Sequence, residues 1–322
     1  MTKSVSVAIH PSQFPENVRR DLLASLRTRR VNHKFHYDSV KQTQKWLALH
    51  EAYSPARHDK NCLAAYEEAF AATAKMIQAR SMHLIGLGCG GGQKDVQLMR
   101  HLESRGKKFS YAPCDVSVAM VLVARQAALK ILPEKNCFPF VCDLATADDL
   151  PAQLVTRHPS LVTFFGMIPN FEPRQILPKL AALLRPNDYL LFSANLTPGD
   201  DYAASMEKIL PQYDNPLTRD WLTAFLFDLG LEPRDGALRF SIETGGLGLR
   251  RVMAKFHFRH ARQIQVGGEK FSFAQSEAVR LFFSYRYTPA RAVNLLARHG
   301  LEVCQQWIAS SGEEGVFLCR RK

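Results

Sequence analysis

No run of the chain approaches the ~18 continuous apolar residues of a membrane-crossing helix. The opening MTKSVSVAIHPSQ has no apolar core long enough for a signal peptide. Cysteine is sparse and scattered: Cys62, Cys89, Cys114, Cys137, Cys142, Cys304 and Cys319 make an odd number with no C-x-x-C. A disulfide framework and a zinc site are therefore not expected, no metal is called for, and a reduced, cytoplasmic protein is. Internal repeats and low-complexity tracts are missing, so the bulk of the chain is not disordered. A phosphate-binding P-loop is excluded, because the one glycine-rich turn lacks the Gly-Lys-Ser/Thr ending.

What is there suits one large α/β domain or two coupled ones: 322 residues, 46% hydrophobic and 22% charged. The net charge of +12 is uneven. Residues 1–60 carry 11 Lys/Arg against 5 Asp/Glu, residues 250–322 carry 13 against 5, and the middle carries 18 against 20. A near-neutral module flanked by basic segments can attract an anionic partner, or simply be a solvated surface. The basic residues are dispersed and RNA-motif aromatics are absent, so nucleic acid is not the expected partner.

An amphipathic helix is expected over 15–29 and an Ala-rich one over 61–79. Strand-like runs follow at 82–87, 109–114, 138–142, 161–165 and 189–194. Helical segments fill the gaps at 93–104, 117–131 and 174–184. Short buried strands alternating with helices imply a parallel sheet covered on both faces. From about 196 to 286 the pattern breaks, as in an inserted unit: helical stretches at 205–210 and 217–229, then a period-two run at 251–260. A helix from Thr288 to Ala297 and an antiparallel pair, 301–309 with 315–320, close the chain.

The chemistry-bearing signal is Gly86-Leu87-Gly88-Cys89-Gly90-Gly91-Gly92, between a hydrophobic strand and a helix. Glycines there let backbone N–H groups and a helix N-terminus approach a nucleotide-like cofactor. Gly86, Gly88 and Gly91 also meet the dinucleotide spacing, so spacing alone leaves a nicotinamide or flavin open. Asp115 and Asp143 close the next two strands, where ribose hydroxyls and an adenine amino group are held, although either can be a helix cap or turn former. Gly166-Met167-Ile168-Pro169-Asn170-Phe171 ends the fourth strand, with Asn170 offering a donor and an acceptor.

In this order the residues resemble the histidine-specific S-adenosylmethionine (SAM) methyltransferase family over nearly the whole chain. Lys34-Phe35-His36-Tyr37-Asp38 is similar to the family's K-x-F-Y-D element. Glu51-Ala52-Tyr53-Ser54-Pro55-Ala56-Arg57 is similar to E-Y-Y-x-T-R, with Ser54 at the second tyrosine. Gly88-Cys89-Gly90 with Lys94, Cys114-Asp115-Val116 and Cys142-Asp143-Leu144 match the cofactor elements. Phe165 to Phe171 resembles the G-S-T-I-G-N-F loop, one residue shorter and with Pro169 at the glycine. Two further departures are Gly86, where the family has an acidic residue, and Phe282, where it has the glutamate that recognises imidazole.

The resemblance implies a Rossmann-like class I SAM-dependent methyltransferase domain (61–195 plus 287–322) and an α+β substrate-binding domain (1–60 plus 196–286). It implies SAM as cofactor, S-adenosylhomocysteine (SAH) as product, and cofactor contacts from Gly86, Gly88, Gly90, Lys94, Asp115 and Asp143. Tyr37, Ser54, Asn170, Tyr213, Phe282 and Ser284 would contact the substrate, and Asn170, Tyr37 and the Gly166 carbonyl would orient the acceptor. With Phe282 in place of glutamate, the expected activity is N-methylation of a small amine or amino acid other than free histidine. The alternatives are a catalytically silent methyltransferase-like binding protein and, more remotely, a nucleic-acid methyltransferase.

Overall fold

The computed structural model describes residues 4–322, without the side chains of residues 55 and 56. Residues 1–3 and the side chains of Pro55 and Ala56 in the second family-like element thus lie outside the described set. The described chain forms two units, one of residues 4–13, 55–198 and 287–322, the other of residues 14–54 and 199–286.

The first unit is built on an eight-stranded sheet. Its strands, numbered along the whole chain, are β1 (Ala8–Ile9), β2 (Ser81–Leu87), β3 (Lys108–Asp115), β4 (Phe140–Val141), β5 (Ser160–Phe164), β6 (Tyr189–Asn195), β12 (Leu301–Ile308) and β13 (Glu314–Arg321). Their order is β1-β4-β3-β2-β5-β6-β13-β12. β1 to β6 pair in parallel, whereas β13 runs antiparallel to β6 and to β12. The helices are α3 (Pro55–His58), α4 (Lys60–Met76), α5 (Gln93–Ser104), α6 (Val118–Ala128), α7 (Leu150–Leu154), α8 (Pro173–Ala182) and α11 (Pro289–Ala297). Every residue of β2 after Ser81 is buried, the continuous apolar run of a central parallel strand. The chain order reverses at β2, with β3 on one side and β5 on the other. In open parallel sheets, ligands bind outside the carboxyl ends of the strands at such a reversal.

Two expectations are corrected here. Residues 4–13, read with the substrate domain, belong to the first unit, because Ala8 and Ile9 pair with Phe140 and Val141. Both residues of β1 are exposed, so no burial pattern marked the strand. The run expected over 138–142 contracts to β4, since Pro139 has no N–H to give to a ladder.

The second unit contains helices α1 (Pro15–Thr28), α2 (Val40–Tyr53), α9 (Tyr202–Tyr213) and α10 (Pro216–Asp228). Its strands are β7 (Gly236–Thr244), β8 (Arg250–Phe258), β9 (Arg262–Val266), β10 (Glu269–Phe273) and β11 (Ala278–Arg286). β11, β8 and β7 form an antiparallel sheet, and β9 and β10 a hairpin. Leu26, Phe35, Trp221, Leu222, Phe256 and Phe273 are among the buried side chains of its core. Among the described residues, no helix is long and apolar enough to cross a membrane.

Candidate active site

The loop after β2 takes its shape from left-handed glycines. Gly88 has φ +59°, and a Cβ there would lie 2.6 Å from Met167 Cγ, so the β5 loop packs directly on its backbone. Gly92, with φ +73°, is the N-cap of α5, and a Cβ there would lie 2.9 Å from Ala124 Cα. Asp115 anchors the loop. Its Oδ2 accepts from the Gly90 N–H (3.0 Å) and its Oδ1 from the Ser117 N–H (3.0 Å). Burial raises the Asp115 pKa, and these backbone donors oppose that shift. A carboxylate at this strand end is the group that accepts from a ribose diol. Cys89 lies between these glycines. Burial and the neighbouring Asp115 push its thiol well up, so it stays a neutral thiol rather than a nucleophile.

Asp143 follows β4. Its Oδ1 accepts from the Ala145 N–H (2.9 Å), and its own N–H donates to Ser12 Oγ (3.0 Å). Ser12 is held by His10, whose Nδ1 accepts the Ser12 N–H (3.0 Å). The His10 proton is therefore on Nε2, which donates to Asp149 Oδ1 (2.8 Å). The N-terminal segment thus backs the Asp143 corner, which the sequence did not reveal.

Lys94 has a protein partner. Its ammonium donates to Tyr66 OH (2.6 Å) and sits 4.1 Å over that ring, while Tyr66 OH donates to Glu314 Oε1 (2.5 Å). Burial lowers the Lys94 pKa and the Glu314 charge opposes the shift. At the end of β5, Gly166 adopts φ +69° and donates its N–H to Ser193 Oγ (2.9 Å). The half-buried Asn170 ends a 3-10 turn closed by its own N–H on the Met167 carbonyl (3.0 Å).

In the second unit, most residues singled out for the substrate converge. Tyr37 lies 5.4 Å from Trp221 and 5.9 Å from Trp46, ring to ring. Phe282 is buried, 5.8 Å from Trp221 and 6.3 Å from Tyr213. A bulge between Arg280 and Phe282 sets the register of β11 there. Two residues on, Ser284 shares a hydrogen bond with Tyr213 OH (2.9 Å), which also accepts from Arg286 Nε (3.2 Å). Ser54 has a different place, as the C-cap of α2, with its N–H on the His50 carbonyl.

The turn carrying Tyr37 is firmly held. Trp221 Nε1 donates to the His36 carbonyl (2.8 Å), Thr43 Oγ1 to the Tyr37 carbonyl (3.0 Å), and His36 Nε2 to the Leu281 carbonyl (2.7 Å). Burial lowers His36 to about 4, and burial with the neighbouring His36 lowers His33 to about 3, so both are neutral. Trp221, His33, Tyr66, Ser193 and Arg286 were missed in the sequence. Each is of a residue type common in cores, and only its neighbours distinguish it.

A reversal-point crevice with a glycine loop and acidic strand ends defines an α/β enzyme that binds a nucleotide cofactor. The model of the histidine-specific, SAM-dependent methyltransferase family matches residues 18–222 and 248–321, and the chain belongs to that family. It is a SAM-dependent methyltransferase with a Rossmann-like class I fold. N-methyltransferase imqF of Aspergillus flavus is 23% identical over 278 residues, covering 82% of this chain and 73% of that protein. Among solved structures, the CcbJ methyltransferase from Streptomyces caelestis is 15% identical, covers 80% of this chain and 95% of its own, and has a TM-score of 0.40. The Burkholderia thailandensis 1,6-didemethyltoxoflavin-N1-methyltransferase is 11% identical, covers 88% of each chain, and has a TM-score of 0.43. The residues present fit SAM: buried carboxylates at the ends of β3 and β4, and a loop of left-handed glycines leading into the N-terminus of α5.

Proposed function

We propose that the protein transfers a methyl group to the nitrogen of a small amine or amino acid bearing an aromatic or apolar side chain, rather than to free histidine, and that it does so in the cytoplasm. The observation that carries this is the surface around Phe282. Rings of Trp221, Tyr213 and the neutral His33 lie 5.8, 6.3 and 6.4 Å from it, Tyr37 packs on Trp221 behind them, and the Tyr213–Ser284 hydroxyl pair lies alongside. Such a surface accepts an apolar group on one side and pairs polar backbone atoms of an acceptor on the other. An imidazole N–H buried against Phe282 loses a hydrogen bond, a cost of roughly 1–3 kcal/mol.

SAM supplies the activated methyl carbon. The protein's work is orientation: the acceptor nitrogen must be neutral and held about 3–3.5 Å from that carbon, in line with the bond that breaks. Gly88, Gly90, Lys94, Asp115 and Asp143 are assigned to the cofactor. In the first unit, the Gly166 carbonyl and Asn170 are the groups assigned to align the acceptor nitrogen. In the second unit, Tyr37, Tyr213, Phe282 and Ser284 are the residues at the family's substrate-facing positions, with Phe282 set against an apolar side chain. A closed, water-poor site lowers an ammonium pKa and frees the lone pair, so no strong base is required.

The test is transfer of labelled methyl from SAM to a panel of amino acids and biogenic amines, including histidine, tryptophan, tyrosine and their decarboxylated forms. Transfer to a non-histidine acceptor, lost in Asn170→Ala while SAM affinity holds, is the expected result. Transfer to histidine overturns the reading of Phe282, and unchanged turnover in Asn170→Ala overturns the site assignment.

A further inference from the structure

Asp95 lies one residue beyond Lys94, in the first turn of α5, and is 3% exposed. Its carboxylate reaches back under the glycine loop to the middle of the sheet. Oδ2 accepts from Tyr111 OH on β3 (2.6 Å), and Oδ1 accepts from Thr163 Oγ1 on β5 (2.7 Å). The strand between those two is β2, and there the carboxylate meets Gly86. A Cβ on Gly86 would fall well inside contact distance of Asp95 Oδ2 and 3.0 Å from Tyr111 OH. Glycine at this position is required for space, since any side chain would collide with the acid. Both oxygens accept from hydroxyl donors, the arrangement suited to an ionised carboxylate.

We propose that Asp95 is the positioning carboxylate of the cofactor pocket, delivered from α5 instead of from β2, and that Gly86 is glycine in order to admit it. Its first role is mechanical. It ties the start of α5, and with it the loop 86–92, to the two strands flanking β2. Its second is electrostatic. It places a negative charge beneath a loop that receives a sulfonium cation, a charge that SAM carries and SAH does not. Burial raises the Asp95 pKa, and the Tyr111 and Thr163 hydroxyls, with the Lys94 cation beside it, oppose that shift.

The experiment measures SAM and SAH binding by calorimetry, with melting temperatures, on the full chain. In Asp95→Asn, which keeps the shape of the side chain, SAM affinity is expected to fall about tenfold further than SAH affinity, the scale of a desolvated charge pair. Gly86→Asp alone is expected to fold poorly, with two carboxylates claiming one space. Gly86→Asp/Asp95→Ala returns a single carboxylate to that space and is expected to recover both melting temperature and the preference for SAM. Equal weakening of SAM and SAH in Asp95→Asn overturns the electrostatic role. Recovery of melting temperature without SAM affinity in the double variant overturns the assignment of the carboxylate to the cofactor.

Discussion

The neutral histidine buried in the second unit makes a pH experiment decisive. His36 is fully buried, and its folded pKa is about 4 against 6.5 in the unfolded chain. On acidification the unfolded chain takes up the proton first, so stability is intact above about pH 6.5 and falls until about pH 4. Near pH 5 the unfolded imidazole is almost wholly protonated and the folded one about a tenth, which costs about 2 kcal/mol of stability. Urea unfolding at pH 7.5 and 5.0, followed by the fluorescence of Trp46 and Trp221 in a Trp307→Phe background, reads this loss directly. Trp221 is bonded to the His36 carbonyl and so reports the affected turn. His36→Gln keeps an N–H for the Leu281 carbonyl and removes the titration. The wild type is expected to lose about 2 kcal/mol more than this variant between the two pH values. His33, lowered to about 3, destabilises in the same direction and remains in both proteins. Equal losses in the two would show that His36 is not held neutral by the fold.

Gly88→Ala places a side chain on a left-handed residue and against Met167; the backbone alone costs about 1–2 kcal/mol, so SAM and SAH titrations are expected to weaken about tenfold or more. An affinity within a factor of two of wild type would refute the close approach of loop and cofactor. Tyr213→Phe removes the hydroxyl that joins Ser284 and Arg286, and the KM for the acceptor is expected to rise about tenfold with SAM affinity unchanged; an unaltered KM removes Tyr213 from the substrate contacts. All seven cysteines are free, and burial raises every one of their thiols, the half-buried Cys304 included. A thiol-reactive dye at pH 7.5 is therefore expected to label the native protein slowly, Cys304 first, and all seven sites promptly in urea. Rapid labelling of Cys89 in the native protein would refute the neutral-thiol reading.

The sequence by itself determined the parallel core and the place of its glycine turn. Periodicity and glycine placement are local, so the helix over 93–104 appears as α5 with the same bounds, and the glycine turn stands between β2 and α5. The insertion was legible as a change of period, and the chain does leave and re-enter the first unit there, with Leu196 bridged to Tyr287. What only the tertiary structure decided is the company each side chain keeps. Residues 4–13 found their sheet through two exposed residues with no pattern to betray them. Lys94 reads as a cofactor contact in the sequence and lies against Tyr66 in the fold. Gly86 reads as a missing acid, whereas the acid stands across from it at Asp95, nine positions on, bonded to strands β3 and β5. Contacts between residues distant in the chain depend on how helices and strands pack, and no local spacing encodes that packing.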